Sequence, residues 1–300
     1  MCQQQKMDMN INSGEAPGQA KMKASYKAGA FFTRLKMEKK DPESAEALKE
    51  VTEADVVVVD GTYDHAHLVL ELAGIPFVRI NIGNMDTIKL RPDQTLFVNC
   101  PGQVSDKAIR KIVTFVNGGG LLITTDWALK HIIERAFPKT MKYNQKPTQD
   151  EVVRINVLDP DNPILDGFLE DGMDPLWWLE GSSYPIVVLD NKKVNVLVES
   201  KELEEKYGEA PVICEFSWGE GRVVHMISHF YLQRSETRDK KDMAKASSLV
   251  SKSELAMAPG EIQAAMGGMA ASEYTAAQSS VSFISKNIAM QKKKSMKKKG

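Results

Sequence analysis

Runs of apolar residues recur along the middle of this chain at intervals that set out its elements. Val56-Val57-Val58-Val59 is a continuous β-branched run, the pattern of a strand buried on both faces of a parallel sheet. It stops at Asp60-Gly61. Residues from about Tyr63 to Ala73 suit a short helix with Gly74 at its C-terminus, and Ile75 to Ile80 begins a second strand. Leu96 to Cys100 is a third, closed by Pro101-Gly102. A helix from about Ser105 carries Ile109, Ile112, Val113 and Val116 at helical spacing and ends at Gly118-Gly119-Gly120. Leu121 to Thr125 is the fourth strand, and Trp127 to Phe137 the next helix, stopped by Pro138.

Repeated strand, loop and helix define an open, doubly wound, mostly parallel α/β sheet of flavodoxin-like type, whose ligand sites lie beyond the carboxyl ends of the strands. After Lys139 the pattern changes to strand and turn: Val152 to Leu158, Ile186 to Leu189, Val194 to Val198, Val212 to Phe216 and Arg222 to Ile227. These extend the sheet or add an antiparallel edge. The ends read differently. Residues 1–21 are polar with few apolar anchors and are expected to be mobile, and Asp41-Pro42-Glu43-Ser44 reads as a capped helix start. Residues 235–300 are Ser-, Ala-, Met- and Lys-rich, and a helix from Gly260 is weakened by Gly267-Gly268. They are expected to form a flexible or partly helical extension. The predicted organisation is therefore a single α/β domain over 22–234 between two extensions.

Composition narrows the setting. With 42% hydrophobic and 26% charged residues the chain is ordinary for a globular protein, and its net charge of -1 gives no whole-chain attraction to nucleic acid or anionic membrane. Its three cysteines, Cys2, Cys100 and Cys214, lack C-x-x-C spacing, which argues against a disulfide framework or structural zinc and fits a reducing, cytoplasmic compartment. No signal-peptide or membrane-spanning run stands out.

Two segments carry a family resemblance. Leu96-Phe97-Val98-Asn99-Cys100-Pro101-Gly102-Gln103-Val104-Ser105, through Phe115-Val116-Asn117-Gly118-Gly119-Gly120-Leu121-Leu122-Ile123, is one. Gly219-Glu220-Gly221-Arg222-Val223-Val224-His225-Met226-Ile227-Ser228-His229 is the other. Together they resemble class I glutamine-amidotransferase-like proteins, in particular the trehalose-utilisation-like branch. There the first leads to a nucleophile elbow and the second delivers a histidine. The resemblance implies that Thr125, with Asp126 beside it, stands where a glutaminase keeps its cysteine, and the flanking glycines are replaced by Thr124 and Trp127. Glutamine hydrolysis needs a thiolate, a base and an oxyanion hole in mutual reach, so the resemblance implies the fold and speaks against that reaction.

Each candidate has a functional and a plain reading. Asp126 and His229 could polarise a water or bind a sugar hydroxyl, or they are structural. Cys100 could be a displaced nucleophile, although Pro101-Gly102 separates it from the next helix, and a small buried residue closing a strand is the simpler account. Thr125, Gly102 and Asp60 line the strand ends as ligand-contacting candidates. Asp64, His65 and His67 could ligate a metal from an extended loop, or be a capped helix start in which Asp64 is the cap. Trp178, beside Trp177, could stack on a sugar or anchor a partner, with packing over a sheet edge the simpler role.

The lysines from Lys292 to Lys299 alone make no more than a salt-sensitive nucleic-acid contact, and the Met257–Met269 stretch could adapt to a partner. No cofactor is assigned. The sequence is thus read as a pseudoenzyme module that binds a partner protein or small ligand at the strand ends, with the C-terminal extension as an interaction arm. The alternative is a hydrolase or sugar-modifying enzyme using His229 with Asp126 or a bound metal.

Overall fold

The computed structural model describes residues 17–165, 168 and 175–299. Two helices come first, α1 (Pro17–Lys40) and α2 (Pro42–Lys49). Asp41 separates them by accepting the Ser44 N–H at 3.1 Å, and Pro42 fits the first helical position, where no N–H is needed. Then follow β1 (Val56–Val59), α3 (Ala66–Ala73), β2 (Val78–Ile80), β3 (Thr95–Val98), α4 (Asp106–Asn117) and β4 (Leu121–Thr125). A π-helical turn, Leu129–Ile133, runs into the short α5 (Glu134–Ala136). The later strands are β5 (Met141–Tyr143), β6 (Glu151–Arg154), β7 (Asn156–Val157), β8 (Leu176–Leu179), β9 (Ile186–Val188) and β10 (Asn195–Glu199). After α6 (Lys201–Tyr207) come β11 (Pro211–Trp218) and β12 (Gly221–Met226), and the chain finishes with α7 (Lys252–Met257), α8 (Gly260–Gly268) and α9 (Ala271–Lys299).

Eight strands make one mixed sheet in the order β2-β1-β3-β4-β12-β11-β10-β7. The β2-β1-β3-β4-β12 part is parallel, and β11, β10 and β7 each run antiparallel to the neighbour before them. The expectation for the late strands is met by β7, β10, β11 and β12 but not by β6 and β9, since β5–β9 and β6–β8 form separate two-stranded ladders. Every residue of β1, β3 and β4 is buried, which is why these strands read as unbroken apolar runs. On α4, Ile109, Ile112, Phe115 and Val116 are buried, and Ser105 caps its start through the Ala108 N–H.

The termini depart from expectation. Residues 17–21 belong to α1 rather than to a mobile end, and residues 1–16, with Cys2, lie outside the described residues. The C-terminal region is not a flexible arm: α9 is buried almost continuously from Ala271 to Ala289 and lies along α1. Close approach is possible because Gly29 has no side chain; a Cβ there would stand 2.9 Å from the Gln278 Cα. The polar residues of α9 are spent on internal contacts. Ser280 donates to the Phe230 carbonyl at 2.7 Å, the Gln291 amide donates to the Gly119 carbonyl at 3.0 Å, and Asn287 accepts from Arg222 at 2.7 Å. Lys292 pairs with Asp55 at 2.8 Å and Lys293 with Glu43 at 2.9 Å, so these two lysines of the run answer acids of their own chain. α8 forms despite its glycine pair, which falls at its end, and Met266 and Met269 are buried in a second apolar cluster with Phe32 and Tyr274. No described helix is long and apolar enough to cross a membrane.

Candidate functional site

The parallel strands end side by side, and their loops meet over the end of β4. Asp126 follows that strand with φ 46°, a left-handed conformation that aspartate tolerates better than most residues. Its N–H donates to the Met226 carbonyl at 2.7 Å and its carbonyl accepts the Leu129 N–H at 2.9 Å, so the turn is fixed on both sides. The apex of the turn after β4 is therefore Asp126. Thr125 is the last strand residue, and its hydroxyl donates to Asp64 at 2.7 Å while accepting the Cys100 N–H at 3.1 Å. The loop after β1 is drawn onto the loop after β3 because the Thr62 N–H donates to the Cys100 carbonyl at 3.0 Å. Only glycine fits at position 61, where a Cβ would lie 2.2 Å from that same oxygen.

The Asp126 carboxylate is the hub. One oxygen accepts the Tyr184 N–H at 2.9 Å; the other accepts the Ser183 hydroxyl at 3.2 Å and the Cys100 thiol at 3.7 Å, and stands 3.5 Å from His229 Nε2. On the far side of the ring, His229 Nδ1 is 3.0 Å from Glu180. Cys100, Asp126 and His229 are all buried, at 0, 3 and 3% exposure, so these groups act in a low-dielectric setting. Burial works against a charged imidazole, yet Asp64, Asp126, Cys100 and Glu180 outweigh it, and the His229 pKa is raised well above its ordinary value. Burial pushes the Asp126 carboxyl up, opposed chiefly by His229. Burial likewise pushes the Cys100 thiol up to about 11, opposed by His229.

Four candidates from the sequence, Cys100, Thr125, Asp126 and His229, thus converge, and Asp64 joins them through Thr125. Asp64 is not the helix cap: His65 holds that position with no side-chain cap bond, and Asp64 accepts the His65 N–H at 2.7 Å. His65 and His67 face one another edge to face at 5.6 Å, apart from the converging group. Asp60 pairs with Arg79 at the exposed end of β1. Gly102 has φ 67° and is buried against Ala128 and Ile132. Trp177 is fully buried and donates to Ser279 at 2.9 Å, so it is a packing residue. Trp178 donates to Asp150 at 2.6 Å and sets its ring edge-on to His229 at 6.4 Å, covering one side of the site.

Sequence reasoning missed the loop that closes the site from the other side. Glu180, Ser183 and Tyr184 come from the segment between β8 and β9, held over β4 by a Trp127 indole N–H to the Ser182 carbonyl at 2.7 Å. The string Glu180-Gly181-Ser182-Ser183 has turn-forming composition, a signal that could have located the loop but not what it lies over. The same loop builds an aromatic rim. Trp127 stacks on Tyr184 at 5.5 Å, Tyr184 on Tyr143 at 3.9 Å, and Tyr63, 41% exposed, meets Trp127 edge-on at 5.2 Å.

No family model and no curated protein matches this sequence. Among solved structures, an exo-β-1,4-mannosidase from Opitutaceae bacterium strain TAV5 aligns at 11% identity and TM-score 0.42, over 65% of this chain and 34% of its own. A ThuA-like protein from Bacteroides uniformis aligns at 12% and 0.40, over 60% of this chain and 83% of its own. A cytoplasmic protein from Salmonella typhimurium aligns at 12% and 0.39, over 59% and 88%. At such identities and TM-scores these likenesses identify neither a family nor an activity.

Proposed function

We propose that this protein is a ligand-binding α/β module that takes a small ring-bearing molecule at the strand ends and does not hydrolyse amides. The observation that carries this reading is the elbow. Its apex residue is an aspartate whose carboxylate is turned inward and engaged by Ser183, Tyr184, Cys100 and His229. Among the described residues the one cysteine at the strand ends, Cys100, is buried, with its thiol pushed up to about 11, so almost none of it is thiolate at neutral pH. At this rim the exposed Tyr63 and the half-buried Trp127 offer rigid aromatic surface with polar edges, the chemistry that holds a sugar or flat heterocycle.

Glutamine and p-nitrophenyl acetate, followed with the wild type and Cys100→Ala, test the negative half; hydrolysis that disappears in the variant would overturn it. A thermal-shift screen of sugars and heterocycles tests the positive half. A hit is expected to lose its shift in Trp127→Ala, and a shift unchanged there places the ligand elsewhere.

One observation favours a second reading, a hydrolase or sugar-modifying enzyme. A protonated His229 between Asp126 and Glu180 has the charge state of a general acid. Turnover of nitrophenyl glycosides that is abolished by His229→Gln and retained in Cys100→Ala would select it.

A further inference from the structure

We propose that Cys100, Asp126 and His229 form a binding site for a tetrahedral divalent transition-metal ion, with zinc the best match to their chemistry. No two of the three donor atoms are more than 4.8 Å apart. Zinc bond lengths of about 2.3 Å to sulfur and about 2.0–2.2 Å to nitrogen or oxygen set the edges of its tetrahedron: about 3.6 Å from sulfur to oxygen and about 3.4 Å from nitrogen to oxygen. The corresponding separations here are 3.7 Å from Cys100 Sγ to Asp126 Oδ2 and 3.5 Å from that oxygen to His229 Nε2. Two of the three edges thus match those a zinc ion would require, and the third, from sulfur to nitrogen, is no longer than 4.8 Å.

A second, independent observation points the same way. His229 is 97% buried by residue, being 3% exposed, yet neither ring nitrogen makes an aligned hydrogen bond among the described residues. A buried imidazole whose acidic neighbours are all misaligned for hydrogen bonding is costly. Coordination through Nε2 would satisfy one, and Glu180, 3.0 Å from Nδ1, is placed to accept from the other, the usual support of a metal-bound histidine. Around Asp126, the Tyr184 N–H holds Oδ1 and the Ser183 hydroxyl reaches Oδ2, orienting the carboxylate from outside the ligand shell.

The donor set selects the ion. A thiolate with an imidazole favours zinc over magnesium or calcium, and three protein donors leave one coordination position open. On binding, the Cys100 S–H and the His229 N–H bonds break, sulfur and nitrogen bond to the ion, and two protons pass to solvent; nothing is oxidised or reduced. One thiolate and one carboxylate then balance the two positive charges, which suits a buried place.

The site rests on the cluster's geometry and stands apart from the ligand reading, because Trp127→Ala removes the rim and leaves all three donors. The test is titration of chelator-stripped full-length protein with Co²⁺, then displacement by Zn²⁺, with folding followed by circular dichroism. One equivalent of Co²⁺ per chain is expected, with a thiolate-to-cobalt absorption band that Zn²⁺ abolishes and that Trp127→Ala keeps. Cys100→Ser is expected to lose the band while remaining folded. Glu180→Gln is expected to keep it but bind about 10–100-fold more weakly. A folded wild type that takes up no stoichiometric Co²⁺, or a band that survives in Cys100→Ser, overturns the proposal and leaves a buried cluster held by charge and packing.

Discussion

At the scale of single residues, two buried histidines four positions apart in β12 and its loop are pushed in opposite directions. His225 is fully buried with the Thr124 hydroxyl 2.8 Å from its ring, and burial pushes its imidazole down to about 3. His229 has acids around it and is pushed up. The consequences for pH have opposite signs. The His225 contribution to stability is whole above its unfolded value near 6.5 and is lost as pH falls toward 3, because the unfolded chain takes a proton that the folded chain refuses. The His229 contribution is whole below about 6.5 and is lost as pH rises through its raised folded value. Urea unfolding between pH 7 and 5 is therefore expected to show a loss approaching about 1.4 kcal/mol per pH unit that His225→Gln flattens. An unchanged slope would show that His225 is not the group responsible.

Asp126 gives a second test at this scale. Asn keeps the shape and tolerates the left-handed turn but removes the charge facing His229, so Asp126→Asn is expected to cost about 3 kcal/mol. A denaturation midpoint within about 0.5 kcal/mol of wild type would mean that the pair carries no charge. The convergence of Asp126 and His229 was legible because both follow apolar strands that the fold class brings together. The roles of Glu180, Ser183 and Tyr184 were not, since a turn string carries no information about what the loop lies over.

At the scale of elements, the strands were readable where both faces are buried. Val56–Val59 and Leu121–Thr125 appear with the bounds that the apolar runs predict. Helix α9 was not readable, for a physical reason. Its buried Ser, Gln, Asn and Lys residues resemble those of a solvated segment until their partners are known, and those partners lie far away in sequence: Ser279 with Trp177, Lys286 with Asp41, Gln291 with Gly119. Small residues that let two helices approach closely leave little periodic apolar signal. The contact at Gly29 tests this account with two effects of opposite sign. Helix propensity favours Gly29→Ala by about 1 kcal/mol, whereas a Cβ 2.9 Å from the Gln278 Cα must push α9 away. Overpacking against backbone is expected to win, for a net loss of about 1–2 kcal/mol in urea denaturation. A gain in stability would mean that α1 and α9 pack less tightly than described.

At the scale of the molecule, α9 ties together segments that the chain introduces far apart: α1, α2, the start of β12 through Arg222, and the glycine turn before β4. The region read as an extension is a structural member of the domain. A chain ending at Ala270 would lose Phe283, Ile284 and Ile288 from the main core and expose the apolar surface they cover, and is expected to lose its cooperative unfolding transition. A truncated chain that still unfolds cooperatively would return α9 to the status of an accessory arm.

The central claim, a strand-end site that binds without an active thiol, is tested most directly by mass-resolved alkylation of the native chain. Iodoacetamide and a glutamine-like chloroketone, each at pH 7, would be followed at Cys100 by peptide mapping. A buried thiol pushed up to about 11 is expected to remain unmodified by either reagent until the protein is denatured. Rapid, stoichiometric modification of Cys100 by the chloroketone in the folded protein would contradict the account and return the elbow to nucleophilic chemistry.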